Sequence, residues 1–150
     1  MTADNPGLDF WAIAEGRALP PPSARLLNWR FVSLDEAGLL RCVFEPTEAF
    51  LNPAGLVQGG ILTAMLDEAM SPVVAATSRE AVFAQTLEMK TSFLRGARLG
   101  AVFGEGWVLH RGRNIAFLEG RLLDSDRNII AAATATAQIS PLVSKVPRGG

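Results

Sequence analysis

The chain has 150 residues, enough for one domain with a substantial core, and its formal net charge is -1. With 49% hydrophobic residues and nearly balanced charges, we expect a homo-oligomer that buries apolar surface rather than a protein that binds nucleic acid. The single cysteine, Cys42, excludes an intrachain disulfide and fits a reducing compartment, so we expect a cytoplasmic protein. Acidic residues near the start and the polar and glycine residues within the longest uncharged run, residues 49–66, argue against a signal peptide and a membrane partner.

Residues 1–24 form a predicted lead-in to the main domain. Residues 8–17 have the apolar spacing of a short helix, which the consecutive prolines at positions 20–22 bring to an end. Because proline lacks a backbone N–H and restricts the residue before it, the stretch up to Trp29 is expected to reach the core as a loop.

The next segments predict a hairpin and a loop. Residues 29–32 and 39–44 have the composition and alternation of two short strands, and a turn that ends in Gly38 separates them. A loop over residues 47–55 then leads to a long apolar segment.

This apolar segment predicts a helix that begins at Gly59 and Gly60. The apolar positions that recur every four residues are Ile61, Met65, Ala69 and Val73. The acid pair Asp67-Glu68 interrupts them, and a carboxylate two turns into such a helix is costly to desolvate unless it has partners or a function. The two glycines leave backbone N–H groups unshielded at the positive end of the helix dipole, where negative charge is favoured. Pro72 is expected to kink or end the helix.

Extended segments follow over residues 85–94, 100–110, 115–123 and 129–139. In the first of them, alternation places one set of side chains on a single face: Leu87, Met89, Thr91 and Phe93. The last alternates alanine with threonine, and such small side chains suit close packing against a helix. The order of hairpin, long helix and meander predicts an α+β fold, in which an antiparallel sheet wraps around one long central helix.

Several short motifs carry a family resemblance: Asn52, Gly55, Gln58-Gly59-Gly60, Leu66-Asp67, Ala69, residues 87–95, Gly112-Arg113 and residues 131–136. With them the chain resembles the hotdog-fold acyl-CoA thioesterases of the phenylacetate-degradation type, in the 4-hydroxybenzoyl-CoA thioesterase superfamily. The resemblance covers residues 25–140 as a hotdog thioesterase domain and leaves residues 141–150 as a tail. It implies hydrolysis of acyl-CoA or aryl-CoA thioesters to the free acid and CoA. No cofactor is expected, since CoA is part of the substrate, and no residues have metal-ligand spacing.

The resemblance implies roles for five residues. Asp67 activates water or attacks the thioester carbonyl directly, and the N–H of Gly59 holds the oxygen as it gains charge. Asn52 and Gln58 shape the loop and contact the acyl carbonyl or the lytic water, which Thr86 can orient. Gln58 stands where the family usually has histidine. Glutamine donates and accepts hydrogen bonds but cannot change its charge, which affects the expected pH profile and rate.

The spacing of two of these residues predicts a dimer. Gly59 and Asp67 are eight residues apart on one helix, which corresponds to roughly 12 Å at about 1.5 Å per residue. One thioester carbonyl cannot lie within about 3 Å of both. A working site therefore needs Asp67 of one subunit opposite Gly59 of a second, with two equal sites about a two-fold axis. The family resemblance further suggests a homotetramer made of two such dimers.

The nucleotide end of the substrate requires cations. Arg111 and Arg113 on a basic turn, together with Arg95, are candidates for binding the CoA phosphates. The resemblance favours Gly112 and Arg113 most, because the family has a similar turn near the pantetheine path. Gly60, beside the predicted oxyanion donor, is assigned to substrate binding.

Each of these residues also has a structural interpretation. Asp67 could pair with a cation at an interface, Gln58 could cap the helix, and Thr86 could be an ordinary strand residue. The two glycines could serve close packing, and the basic turn could be a solvated hairpin tip. Glu68 points about 100° away from Asp67 around the helix, so we expect it to be solvated or at an interface.

Two other functions compete with hydrolysis. The glutamine at position 58 is compatible with a non-catalytic domain that binds or senses acyl-CoA. A hotdog dehydratase or hydratase would need an acid–histidine pair, and His110, on a later hairpin, is the sole histidine of the sequence.

Overall fold

The computed structural model describes residues 9–142; the outer parts of the predicted lead-in and tail, residues 1–8 and 143–150, lie outside the described residues. No helix between residues 9 and 142 combines the length and the apolar character that a bilayer crossing requires. The elements, in chain order, are α1 (Phe10–Ala14), α2 (Pro22–Leu26), β1 (Arg30–Leu34), β2 (Leu40–Phe44), a 3₁₀ turn (Glu48–Phe50), α3 (Gly59–Met70), α4 (Pro72–Ala76), β3 (Val82–Phe93), β4 (Val102–Arg111), β5 (Ile115–Leu123) and β6 (Ile129–Pro141).

All six strands form one antiparallel sheet in the order β1-β2-β4-β5-β6-β3, and α3 packs against its inner face. This confirms the predicted hotdog architecture, with an antiparallel sheet around a central helix. The predicted meander applies to β4, β5 and β6. The first strand after the helix, β3, does not lie beside its chain neighbour β4 but pairs with β6 at the far edge. A strand's own residues do not determine which of several similar edges it pairs with.

Glycines on the inner face of β4 and β5 allow α3 to approach the sheet closely. A Cβ at Gly106 would overlap the backbone of Ala69, and a Cβ at Gly120 would overlap the side chain of Met70. On β6 the predicted small-residue face is buried at alternate positions: Ala131, Ala133, Ala135 and Ala137. The sequence places small residues where the helix axis passes, so the helix packs its apolar face closely against the sheet.

The structure bears on three local predictions. The stretch before Trp29 is not a loop, because residues 22–26 form α2 with a proline in its first turn, where the missing N–H costs nothing. The predicted break at Pro72 is confirmed: α3 ends at Met70 and α4 begins at the proline. A β-bulge between Thr86 and Glu88, at Leu87, interrupts the predicted alternation of β3. In the set predicted to share one face, Leu87 and Phe93 are each 54% exposed, whereas Met89 and Thr91 are partly buried.

A cluster of charges covers the outer face of the sheet. Glu105 on β4 is only 2% exposed, because arginine side chains from neighbouring strands and a turn lie over it. Its carboxylate oxygens lie 2.6 Å from Arg121, 2.9 Å from Arg127 and 3.7 Å from Arg41. This cluster ties β2, β4 and β5 together on the side of the sheet opposite the helix.

Candidate active site

A cavity of about 460 Å³ lies beside the C-terminal half of α3. The N-terminal segment with α1 and α2 forms one wall, and the start of β3 forms another. Much of the lining is apolar or aromatic, from Phe10, Ile13, Trp29, Ala75, Val82 and Phe83. Two carboxylates enter this lining, Asp67 and Glu68. A largely apolar cavity with a few converging polar groups is the typical form of a small-molecule site.

Two hydroxyl groups position Asp67. Thr86 donates a hydrogen bond to Asp67 Oδ1 at 2.7 Å, and Ser71 donates to the same oxygen at 2.8 Å. The two hydroxyl oxygens are 3.4 Å apart. Both hydrogen bonds end on Oδ1, so neither hydroxyl group occupies Oδ2. Among residues 9–142 no lysine, arginine or histidine forms an ion pair with Asp67, which disfavours a purely structural salt bridge within the chain.

Local structure explains both partners. Ser71 is four residues after Asp67, so it lies one turn further along the same helical face, just before Pro72. Thr86 precedes the bulge of β3, where the strand passes that turn. The sequence singled out Thr86 but missed Ser71, although its spacing from the acid was a usable signal.

Glu68 also lines this cavity and is only partly exposed, so it is not the fully solvated residue that one of the two expectations described. Ser23 on α2 donates a hydrogen bond to Glu68 Oε1 at 2.8 Å. Burial raises the pKa of the Glu68 carboxyl; the Ser23 hydrogen bond lowers it in part, and the charge of Asp67 adds to the increase. The solvated alternative failed because the sequence analysis treated residues 22–26 as a loop. As a helix, they cover this side of α3 and close the cavity over the second acid.

The remaining predicted catalytic residues lie at the other end of α3. Gln58 is the N-cap residue, and its Oε1 accepts a hydrogen bond from the N–H of Ile61 at 3.2 Å, as in its structural interpretation. Asn52 Oδ1 accepts hydrogen bonds from the N–H groups of Ala54 (2.9 Å) and Leu56 (3.2 Å), and so holds the loop before the helix.

The two glycines after Gln58 are closely surrounded. A Cβ at Gly59 would lie 3.2 Å from the ring of Phe93, and a Cβ at Gly60 would lie 2.8 Å from Gln58 Oε1. Within the described range, the walls of the Asp67 cavity include neither glycine. The fold thus brings Asp67 and Thr86 together and keeps the helix start apart from them.

The candidate CoA-binding arginines also lie at two different ends of the subunit. Arg111 donates hydrogen bonds to the Ser78 hydroxyl at 2.8 Å and to the Val74 carbonyl at 3.4 Å, at the end of α4. Gly112 closes the basic turn with an N–H bond to Ile115, and Arg113 is exposed on it.

Arg95 is exposed at the opposite end of the sheet. Its N–H bonds to Ile130, whereas the basic turn bonds to β6 through Asn114 and Ile139. Nine residues of an extended strand separate these two points, which is roughly 30 Å at about 3.3 Å per residue. Within a single chain, Arg95 therefore lies far from Arg111 and Arg113.

Other chemistry-bearing residues lie elsewhere. His110 is exposed and packs near Phe117, with ring centroids 6.3 Å apart, outside the cavity lining; this disfavours the acid–histidine pairing of a dehydratase. Cys42 is buried on β2, and burial raises the pKa of its thiol, which disfavours a nucleophilic thiolate. In the described part of the chain, no three His, Cys, Asp or Glu side chains are grouped to hold a metal ion.

An antiparallel sheet wrapped around one central helix defines a hotdog fold, and here a carboxylate held by two hydroxyl groups lies in an apolar cavity of that fold. A family model described as Thioesterase superfamily matches residues 54–131. The chain therefore belongs to the thioesterase superfamily and is a thioester hydrolase. The matched range begins before α3 and ends within β6, so it leaves α1 and α2 outside.

Solved structures agree with this assignment. A phenylacetic acid degradation-related protein from Ralstonia eutropha JMP134 is 39% identical over 87% of this chain and 98% of its own, with a TM-score of 0.81. A thioesterase from Haemophilus influenzae has the same fold at 15% identity, with 91% and 94% coverage and a TM-score of 0.77. A protein from Streptococcus mutans UA159, solved bound to acetyl CoA, is 24% identical, with 76% and 90% coverage and a TM-score of 0.68. No curated protein matches the chain.

Proposed function

We propose that this enzyme hydrolyses acyl-CoA or aryl-CoA thioesters, with Asp67 as the residue that acts on the thioester. The observation that carries the proposal is the environment of Asp67. Thr86 and Ser71 fix Oδ1, and Oδ2 is left for the occupant of an apolar cavity. The bound acetyl CoA of the Streptococcus mutans protein supports CoA as the thiol half of the substrate.

Two routes use the same geometry. Asp67 can remove a proton from water, so that hydroxide adds to the carbonyl carbon, the C–S bond breaks, and the thiolate of CoA takes up the proton. Alternatively, Oδ2 attacks the carbonyl and releases CoA, and water then cleaves the acyl–aspartyl anhydride. In both routes the products are a free acid and CoA. Thr86 and Ser71 hold the carboxylate and restrict the directions from which it can react.

The proposal includes a dimer that completes each site. Asp67, Arg111 and Arg113 belong to one end of the subunit, and Gly59, beside Phe93 and near Arg95, belongs to the other. A two-fold axis that sets two α3 helices antiparallel would bring the two ends together. Asp67 would then face the N–H of Gly59 from the partner, and the arginines of both ends would share one CoA molecule.

The edge strand supports this arrangement. β3 has twelve residues and pairs with β6 along one side only among the described strands, so its other edge is open to a second copy. Phe83, Leu87, Phe93 and Leu94 are each more than half exposed on or next to it. A long edge with exposed apolar side chains is suited to pairing with another strand.

The decisive experiment is Asp67→Asn. This change keeps the size of the side chain but removes its negative charge, so kcat should fall by about 100-fold or more in a thiol-release assay with aromatic, short-chain and long-chain acyl-CoAs. Asp126→Asn, on the exposed turn between β5 and β6, is the matched control and should retain the parent rate. A folded Asp67→Asn enzyme that hydrolyses the panel at the parent rate would refute this role of Asp67. Binding of CoA esters by the parent protein without thiol release would refute hydrolysis and support the non-catalytic acyl-CoA binding domain.

A further inference from the structure

Two hydroxyl groups meet where the middle of α3 passes the edge strand β3. The hydroxyl oxygens of Thr63 and Thr91 are 3.5 Å apart, and both residues are partly exposed. This distance exceeds the usual O–H···O separation of about 2.7–2.8 Å, so the contact satisfies neither hydroxyl group well. Neither threonine lines the cavity that contains Asp67. Both hydroxyl groups can therefore bond to a group outside the subunit.

Thr63 lies midway between the two groups that the proposed dimer has to bring together. It follows Gly59 by four residues and precedes Asp67 by four, so about 6 Å of helix separates it from each. At about 100° per residue, Gly59 and Asp67 point about 80° apart around α3, and Thr63 bisects this angle. A partner helix that contacts both residues must therefore pass over Thr63.

Symmetry determines what Thr63 meets there. Along two antiparallel helices, a step of four residues forward on one helix is a step of four residues back on the other. If Gly59 faces the partner's Asp67, Thr63 faces the partner's Thr63, on the two-fold axis itself. Two threonine hydroxyl groups, each beside the Thr91 of its own subunit, then meet at the centre of the interface.

We propose that Thr63 lies on the two-fold axis of the dimer and, together with Thr91, sets the register of the two α3 helices. Both are positioning residues: they do not touch the substrate, but their hydrogen bonds across the axis fix the distance between Asp67 and the partner's Gly59. A hydroxyl group that is buried in an interface is costly unless it is paired, so the register that pairs these groups is favoured. A shift by one helical turn would separate them and displace Asp67 by about 5.4 Å. The inference rests on the proposed function, because the two halves of each site define the axis.

The competing explanation is that Thr63 and Thr91 only fasten α3 to β3 within one subunit. The two explanations differ in a measurable way. A fastening role predicts that loss of either hydroxyl group lowers stability, and it does not bring the two copies of position 63 together. The axis predicts that any side chain placed at position 63 meets its own copy.

The first test is the cross-linking of Thr63→Cys, under mild oxidation and with the short reagent bismaleimidoethane. The native cysteine, Cys42, is buried, so it should not react. We expect most chains to migrate as covalent dimers in a denaturing gel. Ser71→Cys, at the end of the same helical face, is the matched control. Its two copies would lie about 24 Å apart along the helices, so it should give no covalent dimer.

The second test uses charge. Thr63→Glu and Thr63→Lys, each alone, place two like charges on the axis, so each should sediment as a monomer and lose about 100-fold or more of the parent rate. An equal mixture places opposite charges there. It should sediment as a dimer and hydrolyse acyl-CoA at least about ten times faster than either variant alone.

A third measurement separates the hydroxyl group from the position. Thr63→Val keeps the shape of the side chain and should lower kcat by about tenfold with little change in KM, because the residue does not touch the substrate. Thr63→Ser should restore most of the rate. A Thr63→Val enzyme with the parent kcat would overturn the role of the hydroxyl group in setting the register.

A parent protein that sediments as a monomer would overturn the inference. So would a dimeric Thr63→Cys protein that forms no covalent dimer, or a mixture of the charged variants that stays monomeric. If the variants of one test do not fold, the other test decides. If the parent protein hydrolyses no acyl-CoA, the proposed function fails separately, and cross-linking and sedimentation still decide the inference.

Discussion

A buried carboxylate on the outer face of the sheet and two partly buried ones on the inner face have different surroundings, which separate a structural role from a chemical one. On the outer face, Glu105 is covered by Arg41, Arg121 and Arg127. Burial opposes the ionisation of Glu105. Arg121 and Arg127 outweigh this effect through their hydrogen bonds and their positive charges, so the pKa of Glu105 lies below its usual value. On the inner face, Glu68 has a neutral hydroxyl partner, and burial raises its pKa.

The difference shows what a carboxylate needs in order to act on a substrate. Arginines bind both oxygens of Glu105, and Glu105 does not line the cavity that contains Asp67. Asp67 and Glu68 instead have hydroxyl donors on one oxygen each and face a cavity of about 460 Å³. A carboxylate that is paired with cations on both oxygens stabilises strands, whereas one that is held by neutral donors retains an oxygen for chemistry.

The largest effect on stability is expected from Glu105→Gln. It leaves three arginines around a neutral amide, and removal of one partner from a buried ion pair costs about 3–5 kcal/mol. The arginine side chains are 37–57% exposed and remain hydrated, so we expect about 2 kcal/mol in the free energy of unfolding, measured with urea. The rate of thioester hydrolysis should not change. A variant as stable as the exposed control Glu36→Gln would show that the cluster does not stabilise the sheet.

On the inner face, Thr86→Val should impair catalysis rather than stability. It removes the 2.7 Å hydrogen bond to Asp67, and a bond to a charged group is worth about 1.5–3 kcal/mol, which corresponds to a decrease in kcat of about tenfold or more. Thr86→Ser, which restores the hydroxyl, should recover most of the rate. Thr134→Val, at an exposed position of β6, is the matched control. Equal rates for Thr86→Val and Thr86→Ser would exclude a role for this hydrogen bond.

The smallest effect is the pH dependence of stability. The contributions of Glu105 on the outer face and Glu68 on the inner face should change in opposite directions with pH. The folded-state pKa of Glu105 is lowered, so its stabilisation is present above its unfolded value of about 4.3 and is lost as the pH falls through the folded pKa. The difference in the free energy of unfolding between the parent and Glu105→Gln should therefore become smaller at acidic pH. The folded-state pKa of Glu68 is raised, so its contribution is most favourable below about pH 4.3 and is lost as the pH rises through the folded pKa.

Glu68→Gln should therefore gain stability relative to the parent between about pH 4 and neutral pH, by less than about 1 kcal/mol because the group is only partly buried. Unfolding curves of the parent, Glu68→Gln and Glu105→Gln at a series of pH values test both signs together. Parallel trends for the two variants would contradict the contrast between the two faces.

The sequence alone determined the elements whose signals are local. The apolar repeat and the glycine pair identified α3, Pro72 identified its end, and alternation identified the strands. The family resemblance also singled out Asp67 and Thr86, which the structure brings to one cavity. These predictions succeeded because periodicity, proline and glycine act on the residues next to them.

Only the tertiary structure decided which elements meet. It paired β3 with β6, placed the bulge at Leu87, and separated Arg95 from the basic turn. It also packed α2 over Glu68 and so converted an expected surface acid into part of the cavity. Such contacts join residues that are far apart in the chain, here 45 positions for Ser23 and Glu68, and their free energy depends on burial and on partners that no local pattern of residues contains.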